Sequence, residues 1–155
     1  MSIAHTVYVL RHARAGSRSR WDGTDDRMRP LTPRGQTQAL AIASTLAPHV
    51  REVHSSPYLR CVETVAPLAT LIGTDVVIDE RLAEGNDWLD LLHRIEASTT
   101  SIALCTHGDV LGDLVLRLHH RGLAGEGGIE KGCTWSITVA GGEVVDARHH
   151  PAPES

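Results

Sequence analysis

Two apolar runs in this chain end in a histidine. Val7-Tyr8-Val9-Leu10 leads into Arg11-His12-Ala13, and Ile102-Ala103-Leu104-Cys105 leads into Thr106-His107-Gly108. Strands ending this way set two imidazoles at sheet tips, one with a guanidinium beside it. That set suits phosphoryl transfer through a phosphohistidine. A phosphate monoester is a dianion that repels nucleophiles, so a site must first neutralise its oxygens. Arginine does so with a planar, permanently charged fork that matches two phosphate oxygens. Arg11 adjoins His12. Arg60 lies one turn into a helix whose start, Ser56-Pro57, points its positive dipole end at the same place. His107, when protonated, adds a third donor.

His12 would attack phosphorus through an unprotonated Nε2, with its Nδ1–H held by a carbonyl that fixes tautomer and ring direction. A covalent intermediate divides one difficult step into two easier ones. A carboxylic acid must then protonate the leaving oxygen and later take a proton from water. Glu84, in the loop after the third strand, is the best-placed carboxyl. Plainer readings exist for each: a structural His12, a solvated Arg60, a Glu84 that caps the next helix, a His107-Gly108 that only turns the chain. His119-His120 and His149-His150 are adjacent pairs whose members point apart, and both read as surface.

The elements that must position these residues alternate strand and helix. Thr6–Leu10 reads as a buried strand, followed by a long polar loop, Ala13–Leu31, a length that points to function. Thr32-Pro33 opens a helix with a hydroxyl cap and proline in the first turn; its stripe of Ala39, Leu40, Ala43 and Leu46 stops at Pro48. Glu52–Ser55 is a second strand. Ser56-Pro57 repeats the cap signal for a helix that ends at Gly73, with Pro67 inside it. Asp75–Ile78 is a third strand, Asn86 caps a helix carrying Trp88, Leu91, Leu92 and Ile95, and Ser101–Cys105 is a fourth strand. A helix from about Asp109 follows, then a glycine-rich loop and a hairpin turned by Gly141-Gly142. Such alternation implies an α/β fold with a largely parallel sheet and an antiparallel edge. Ligands of such sheets bind outside the carboxyl ends of the strands, where Arg11-His12, Ser56–Arg60, Glu84 and Thr106-His107 all fall.

Bulk properties narrow the function classes. The 155 residues are 41% hydrophobic and 22% charged, as in a soluble globular domain, and suffice for a single domain over 1–155. A net charge of −4 argues against a nucleic-acid binder. No apolar stretch approaches membrane-span length, and no signal peptide is visible at the amino terminus, so a cytoplasmic, non-membrane protein is expected. Cys61, Cys105 and Cys133 lack C-x-x-C spacing, which disfavours a disulfide framework or a zinc site. Basic charge crowds the first loop (Arg14, Arg18, Arg20, Arg27, Arg29), where Asp22, Asp25 and Asp26 offer partners. Lys131 is the single lysine.

These motifs resemble the histidine phosphatase superfamily, the phosphoglycerate mutase-like group, over nearly the whole chain. Leu10-Arg11-His12-Ala13 stands where the family has Arg-His-Gly, and Arg11-His12-Ala13-Arg14-Ala15 is similar to the small phosphohistidine phosphatase branch. Arg29–Gly35 matches the motif before the first helix, Ser55–Thr64 the second arginine motif, and Thr106-His107-Gly108 the second histidine. The resemblance implies a three-layer α/β/α sandwich with a mostly parallel sheet and a C-terminal antiparallel hairpin. It implies a phosphatase without metal or other cofactor: a phosphohistidine on His12, a phosphate pocket of Arg11, Arg60 and His107, and Glu84 as acid.

Only one short helix fits between Glu84 and Ser101, so the large insertion that covers the site in mutases has no room, and an open site is expected. That favours a phosphohistidine on a protein. A second likeness points to nucleotides or other small phosphates: Ala15–Arg20, the Asp-rich stretch and Lys131–Trp135 resemble the phosphatase-type domain joined to a Nudix domain in some bacterial nucleotide hydrolases. No Nudix box occurs in this chain, so a separate Nudix hydrolase would be its functional partner. A catalytically weak phosphate-binding module is the third reading.

Overall fold

The computed structural model describes residues 3–154. Its elements are β1 (His5–Arg11), α1 (Pro33–Leu46), β2 (Glu52–Ser55), α2 (Leu59–Ile72), β3 (Val76–Ile78), α3 (Trp88–Glu96), β4 (Ile102–Thr106), α4 (Gly108–His120), β5 (Thr134–Ala140) and β6 (Glu143–His150). They form one sheet of order β3-β2-β4-β1-β5-β6. The β1–β4, β2–β4 and β2–β3 pairs are parallel, while β1–β5 and β5–β6 are antiparallel. The expected hairpin therefore extends the sheet on the β1 side.

Successive strand residues point to opposite faces, and both faces are covered. On one, Val7 and Val9 of β1 and Ile102 and Leu104 of β4 pack with Leu91, Leu92 and Ile95 of α3 and Leu111 and Leu114 of α4. On the other, Leu10, Ala103 and Cys105 meet Ile42 and Leu46 of α1 and Val65 and Leu68 of α2. Every residue of β4 is buried, as a central parallel strand requires. These are the three expected layers.

Local signals hold in part. Thr32 caps α1, its hydroxyl accepting from the Gly35 N–H at 3.1 Å, with Pro33 next. Gly35 has no alternative: a Cβ there would lie 2.0 Å from the Arg14 carbonyl oxygen. Gly73 ends α2 at φ 75°, and the helix runs unbroken past Pro67. Two expected caps are displaced. Tyr58, not Ser56, is the N-cap of α2; the Ser56 hydroxyl accepts from the Tyr58 N–H at 3.2 Å just ahead of the helix and also faces His107. Asp87, not Asn86, caps α3 by accepting from the Leu89 N–H; the Asn86 amide instead donates to the Glu80 carbonyl. The His149-His150 pair lies within β6, and His149 is half-buried against the Trp135 ring rather than at the open surface.

Candidate active site

The hydrogen bonds between β1 and β4 place His12 beside His107. Arg11 is in register with Thr106, and the His12 N–H donates to the Thr106 carbonyl at 3.2 Å. From the other side, the Gly132 N–H reaches the carbonyls of Arg11 (3.2 Å) and His12 (3.0 Å). The two imidazoles meet edge to face, 5.5 Å between centroids, and both are buried: 5% exposed for His12 and 1% for His107.

His12 Nδ1 lies 2.8 Å from the Ala13 carbonyl oxygen. A carbonyl can only accept, so Nδ1 carries the proton and Nε2 holds the lone pair. Burial, then the charges of His107, Arg60 and Arg11, lower the His12 pKa from 6.5 to about 3, against the opposing Ala13 hydrogen bond. The neutral, nucleophilic form therefore persists through acidic pH.

His107 is the N-cap of α4. Its Nε2 faces the Ser56 hydroxyl at 2.8 Å and the Cys61 sulfur at 3.5 Å. The Tyr58 ring packs on it edge-on at 4.7 Å. Arg11 donates through Nη1 to the Ile129 carbonyl at 2.7 Å, and its guanidinium lies against the start of α4. A Cβ on Gly108 would sit 2.7 Å from Arg11 Cζ, which is why the motif ends in glycine.

Arg60 is fully buried in the first turn of α2. Its guanidinium stacks 4.8 Å from the Tyr58 ring centroid, and Nη1 donates to the Asp26 carbonyl at 3.0 Å. Nη2 lies 3.2 Å from the Asp26 carboxylate and 3.5 Å from that of Glu84, close but without hydrogen-bond alignment. Among the described residues, the buried side-chain nitrogens and oxygens left without a hydrogen-bond partner are Arg11 Nε, Arg60 Nε, Arg60 Nη2 and His107 Nδ1. All four belong to the three residues expected to bind phosphate. Buried polar atoms are rarely left this way, and together they form an anion hole.

Glu84 follows a 3-10 turn (Glu80–Leu82) and is brought to the same place. Its carboxylate accepts from Arg18 at 2.7 Å and faces Arg60 at 3.5 Å. The loop is pinned because the Gly85 N–H donates to the Asp109 carboxylate at 2.9 Å.

Asp26 is the site residue that the sequence did not single out. Its carboxylate accepts from Arg29 Nε at 2.9 Å and lies 3.8 Å from Arg18. Burial alone would raise this carboxyl, but the Arg29 hydrogen bond and the charges of Arg60, Arg29 and Arg18 outweigh it and hold the pKa below the ordinary value. The ion pairing expected in the first loop thus holds for Arg18 and Arg29. Two residues after Arg60 in its motif also fasten this loop: the Thr64 hydroxyl accepts from the Ala13 N–H at 2.9 Å, and the Glu63 carboxylate from the Leu31 N–H at 2.9 Å. The signal for both was their place just beyond Arg60 on α2.

No large insertion precedes β4, as expected, and both histidine side chains are buried. The loop after β1 reaches Arg60 through Asp26, and Glu84 lies within 3.5 Å of Arg60 and 2.7 Å of Arg18. Metal-type ligands come together elsewhere: Glu130, Cys133 and His149 lie within 4.8 Å of one another, with the His149 ring already on the Glu130 carboxylate at 2.8 Å. None belongs to the histidine pocket. No helix among the described residues is long and apolar enough to cross a membrane.

The profile of the histidine phosphatase superfamily (branch 1) matches residues 7–97. An 8-oxo-(d)GTP phosphatase of Mycolicibacterium smegmatis is 33% identical over 158 residues, covering 96% of this chain and 49% of that protein; the chain thus spans about half the length of this relative. The solved structure of the protein histidine phosphatase SixA with tungstate superposes at TM-score 0.72, with 19% identity, over 96% of each chain. A protein of Agrobacterium tumefaciens assigned as the phosphohistidine phosphatase SixA superposes at 0.74, with 24% identity, over 96% of this chain and 98% of its own.

Proposed function

Because this chain belongs to the histidine phosphatase superfamily and is a phosphatase, we propose that it works through a phosphohistidine on His12, without a metal, and that its substrates are nucleotides. The observation that carries the mechanism is the set of four unpartnered buried donors on Arg11, Arg60 and His107, beside a neutral His12 whose Nε2 is free. A phosphoryl group in that hole receives the missing hydrogen bonds, and its charge is met by two guanidiniums without a metal ion. The Ser56 hydroxyl can donate to His107 Nε2, which leaves an Nδ1–H for a phosphate oxygen. His12 Nε2 then bonds to phosphorus as the P–O bond to the leaving group breaks. Water cleaves the N–P bond in the second step, releasing inorganic phosphate and restoring His12. Glu84 is the carboxyl in reach of both proton movements.

The nucleotide reading is supported by the relative that covers nearly all of this chain, whose name describes action on an oxidised guanosine triphosphate. This chain covers 49% of that relative. The other reading is a phosphohistidine on a protein surface, which the lack of a large insertion before β4 favours.

Brief incubation with labelled substrate in the presence of a chelator tests the mechanism. The expected product is acid-labile label on His12 with full turnover. Acid-stable label on serine or threonine, or turnover that needs added magnesium, would refute it. A panel of nucleotides, phosphohistidine peptide, sugar phosphates and p-nitrophenyl phosphate ranks the substrate classes.

A further inference from the structure

A cavity of about 980 Å³ lies beside the histidine pocket rather than in it. Arg14, Arg34 and Lys131 line it, with Thr32 and Gln38. None of the ion pairs among the described residues uses these three cations, whereas Arg18, Arg27, Arg29 and Arg60 are all paired. Two acids also line it: Glu130, occupied by His149 and by the Ala152 N–H at 3.2 Å, and the exposed Glu154, so the wall carries three cations against two carboxylates.

The cavity adjoins the nucleophile through its backbone. Arg14 is two residues beyond His12, roughly 7 Å of extended chain. Lys131 immediately precedes Gly132, whose N–H bonds the carbonyls of Arg11 and His12. Gln38 fixes the floor: its carbonyl oxygen accepts from the Arg14 N–H at 3.0 Å and its amide donates to the Pro153 carbonyl at 3.1 Å. The Lys131 ammonium is held below its ordinary pKa by burial and then by the charges of Arg11, Arg29, Arg14 and Arg60, a field that an anion would relieve.

We infer that Lys131 and Arg14 form a second anion subsite for the group bonded to the transferred phosphoryl, and that the preferred substrate carries two adjacent phosphoryl groups, as a nucleoside diphosphate does. This rests on the His12 mechanism above. It also fits the two carboxylates of the site, Glu84 and Asp26, both of which are ion-paired with arginines. An alkoxide leaving group needs a proton from such an acid. A phosphate leaving group does not, because its last pKa is about 6. In that reaction His12 Nε2 bonds to the terminal phosphorus. The bridging P–O bond breaks, its electron pair leaving on the oxygen of the nucleoside monophosphate beside Lys131. Water then cleaves the phosphohistidine.

Inorganic pyrophosphate and inorganic phosphate, compared as inhibitors of p-nitrophenyl phosphate turnover with chelator present, probe the second subsite directly. Pyrophosphate should inhibit at least tenfold more tightly than phosphate. Lys131→Met and Arg14→Met should each cut that advantage about two- to fivefold, the worth of one solvent-screened charge pair. Both side chains are at the surface, and an unchanged unfolding midpoint certifies each variant. A ratio near one in the parent chain, or a ratio that neither substitution moves, overturns the subsite. Equal losses on a nucleoside diphosphate and on phosphohistidine peptide in Lys131→Met overturn the diphosphate assignment. If labelled phosphate fails to appear on His12, the mechanism itself falls; label on His12 with a ratio near one removes only this inference.

Discussion

His12 and His107 stand at the ends of neighbouring parallel strands, and sheet hydrogen bonds fix their backbones. Arg18, Asp26 and Arg29 stand on the loop that crosses above them, held by 3-10 turns and side-chain pairs. The two regions treat their charges differently. At the strand tips and the first turn of α2, side chains are buried and rigid, and four donors have no partner. On the loop, each of those charged residues has found one. Arg60 belongs to both sets: its Nη2 lies 3.2 Å from the Asp26 carboxylate of the loop without forming an aligned hydrogen bond, whereas Arg11 Nε and His107 Nδ1 have no partner at all. Binding strength for a phosphoryl group therefore resides in the rigid part, where preorganised donors need no rearrangement. The loop supplies the counter-charge, Asp26, that stands 3.2 Å from Arg60 Nη2.

Removing the nucleophile from the rigid part should have the largest effect. His12→Ala is expected to leave the unfolding midpoint close to the parent's and to lower kcat by several orders of magnitude on every substrate. The same residue makes a pH prediction. With its folded pKa lowered to about 3 from 6.5, the unfolded chain binds the extra proton between those values. Its contribution to stability is thus fully present above pH 6.5 and is lost progressively as pH falls towards 3. An NMR titration should find the His12 ring neutral at pH 5. A midpoint between 6 and 7 would mean that the pocket is wetter than its burial indicates.

Glu84 joins the two regions, since it touches both Arg60 and the loop residue Arg18. A general acid is worth about 10²–10⁴ in rate, and the need for it depends on the leaving group. Glu84→Gln should slow alkyl phosphates by that order while p-nitrophenyl phosphate and phosphoanhydrides change far less. Equal losses across the panel would show that Glu84 holds Arg60 and Arg18 in place and delivers no proton.

Arg60→Lys keeps the charge but not the fork. One charged hydrogen bond of about 1.5–3 kcal/mol is lost, which predicts a fall in kcat/KM of roughly ten- to a hundredfold. Wild-type turnover in this variant would place phosphate recognition elsewhere.

The same division decided what could be read from the sequence. His12, His107 and Arg60 follow buried apolar runs or start an amphipathic helix, so periodicity alone brought them to one end of the sheet. Glu84 followed from its place after β3. What periodicity cannot carry is competition between neighbours for one partner. Ser56 has the form of a helix cap, but its hydroxyl holds the Tyr58 N–H and faces His107, and the cap position falls to Tyr58. Asn86 and Asp87 are both good caps, and the carboxylate prevailed. Asp22, Asp25 and Asp26 look alike in a loop without a repeat: Asp22 turns to Thr24, Asp25 caps the second 3-10 turn, and only Asp26 reaches Arg60. The missing insertion before β4 was legible, whereas the path of the β1–α1 loop depends on long-range contacts from Glu63 and Thr64.

Asp26→Asn is the smallest expected effect and the most direct test of the contrast. The Asp26 side chain is 31% exposed, so solvent screens its pairs with Arg60 and Arg18, and such pairs are worth about 0.2–1 kcal/mol. Removing the negative charge frees Arg60 Nη2 for a phosphate oxygen and lifts the repulsion an incoming dianion meets. Inorganic phosphate should then bind the variant about two- to fivefold more tightly at low salt, with the gain shrinking as ionic strength rises. Turnover of p-nitrophenyl phosphate should persist. A calorimetric titration of phosphate measures the first expectation, and steady-state kinetics the second. Weaker phosphate binding would mean that the carboxylate orients Arg60 rather than competing for it, and lost turnover would make Asp26 a proton carrier. Either result would place this loop residue with the rigid pocket and end the division drawn between the two regions.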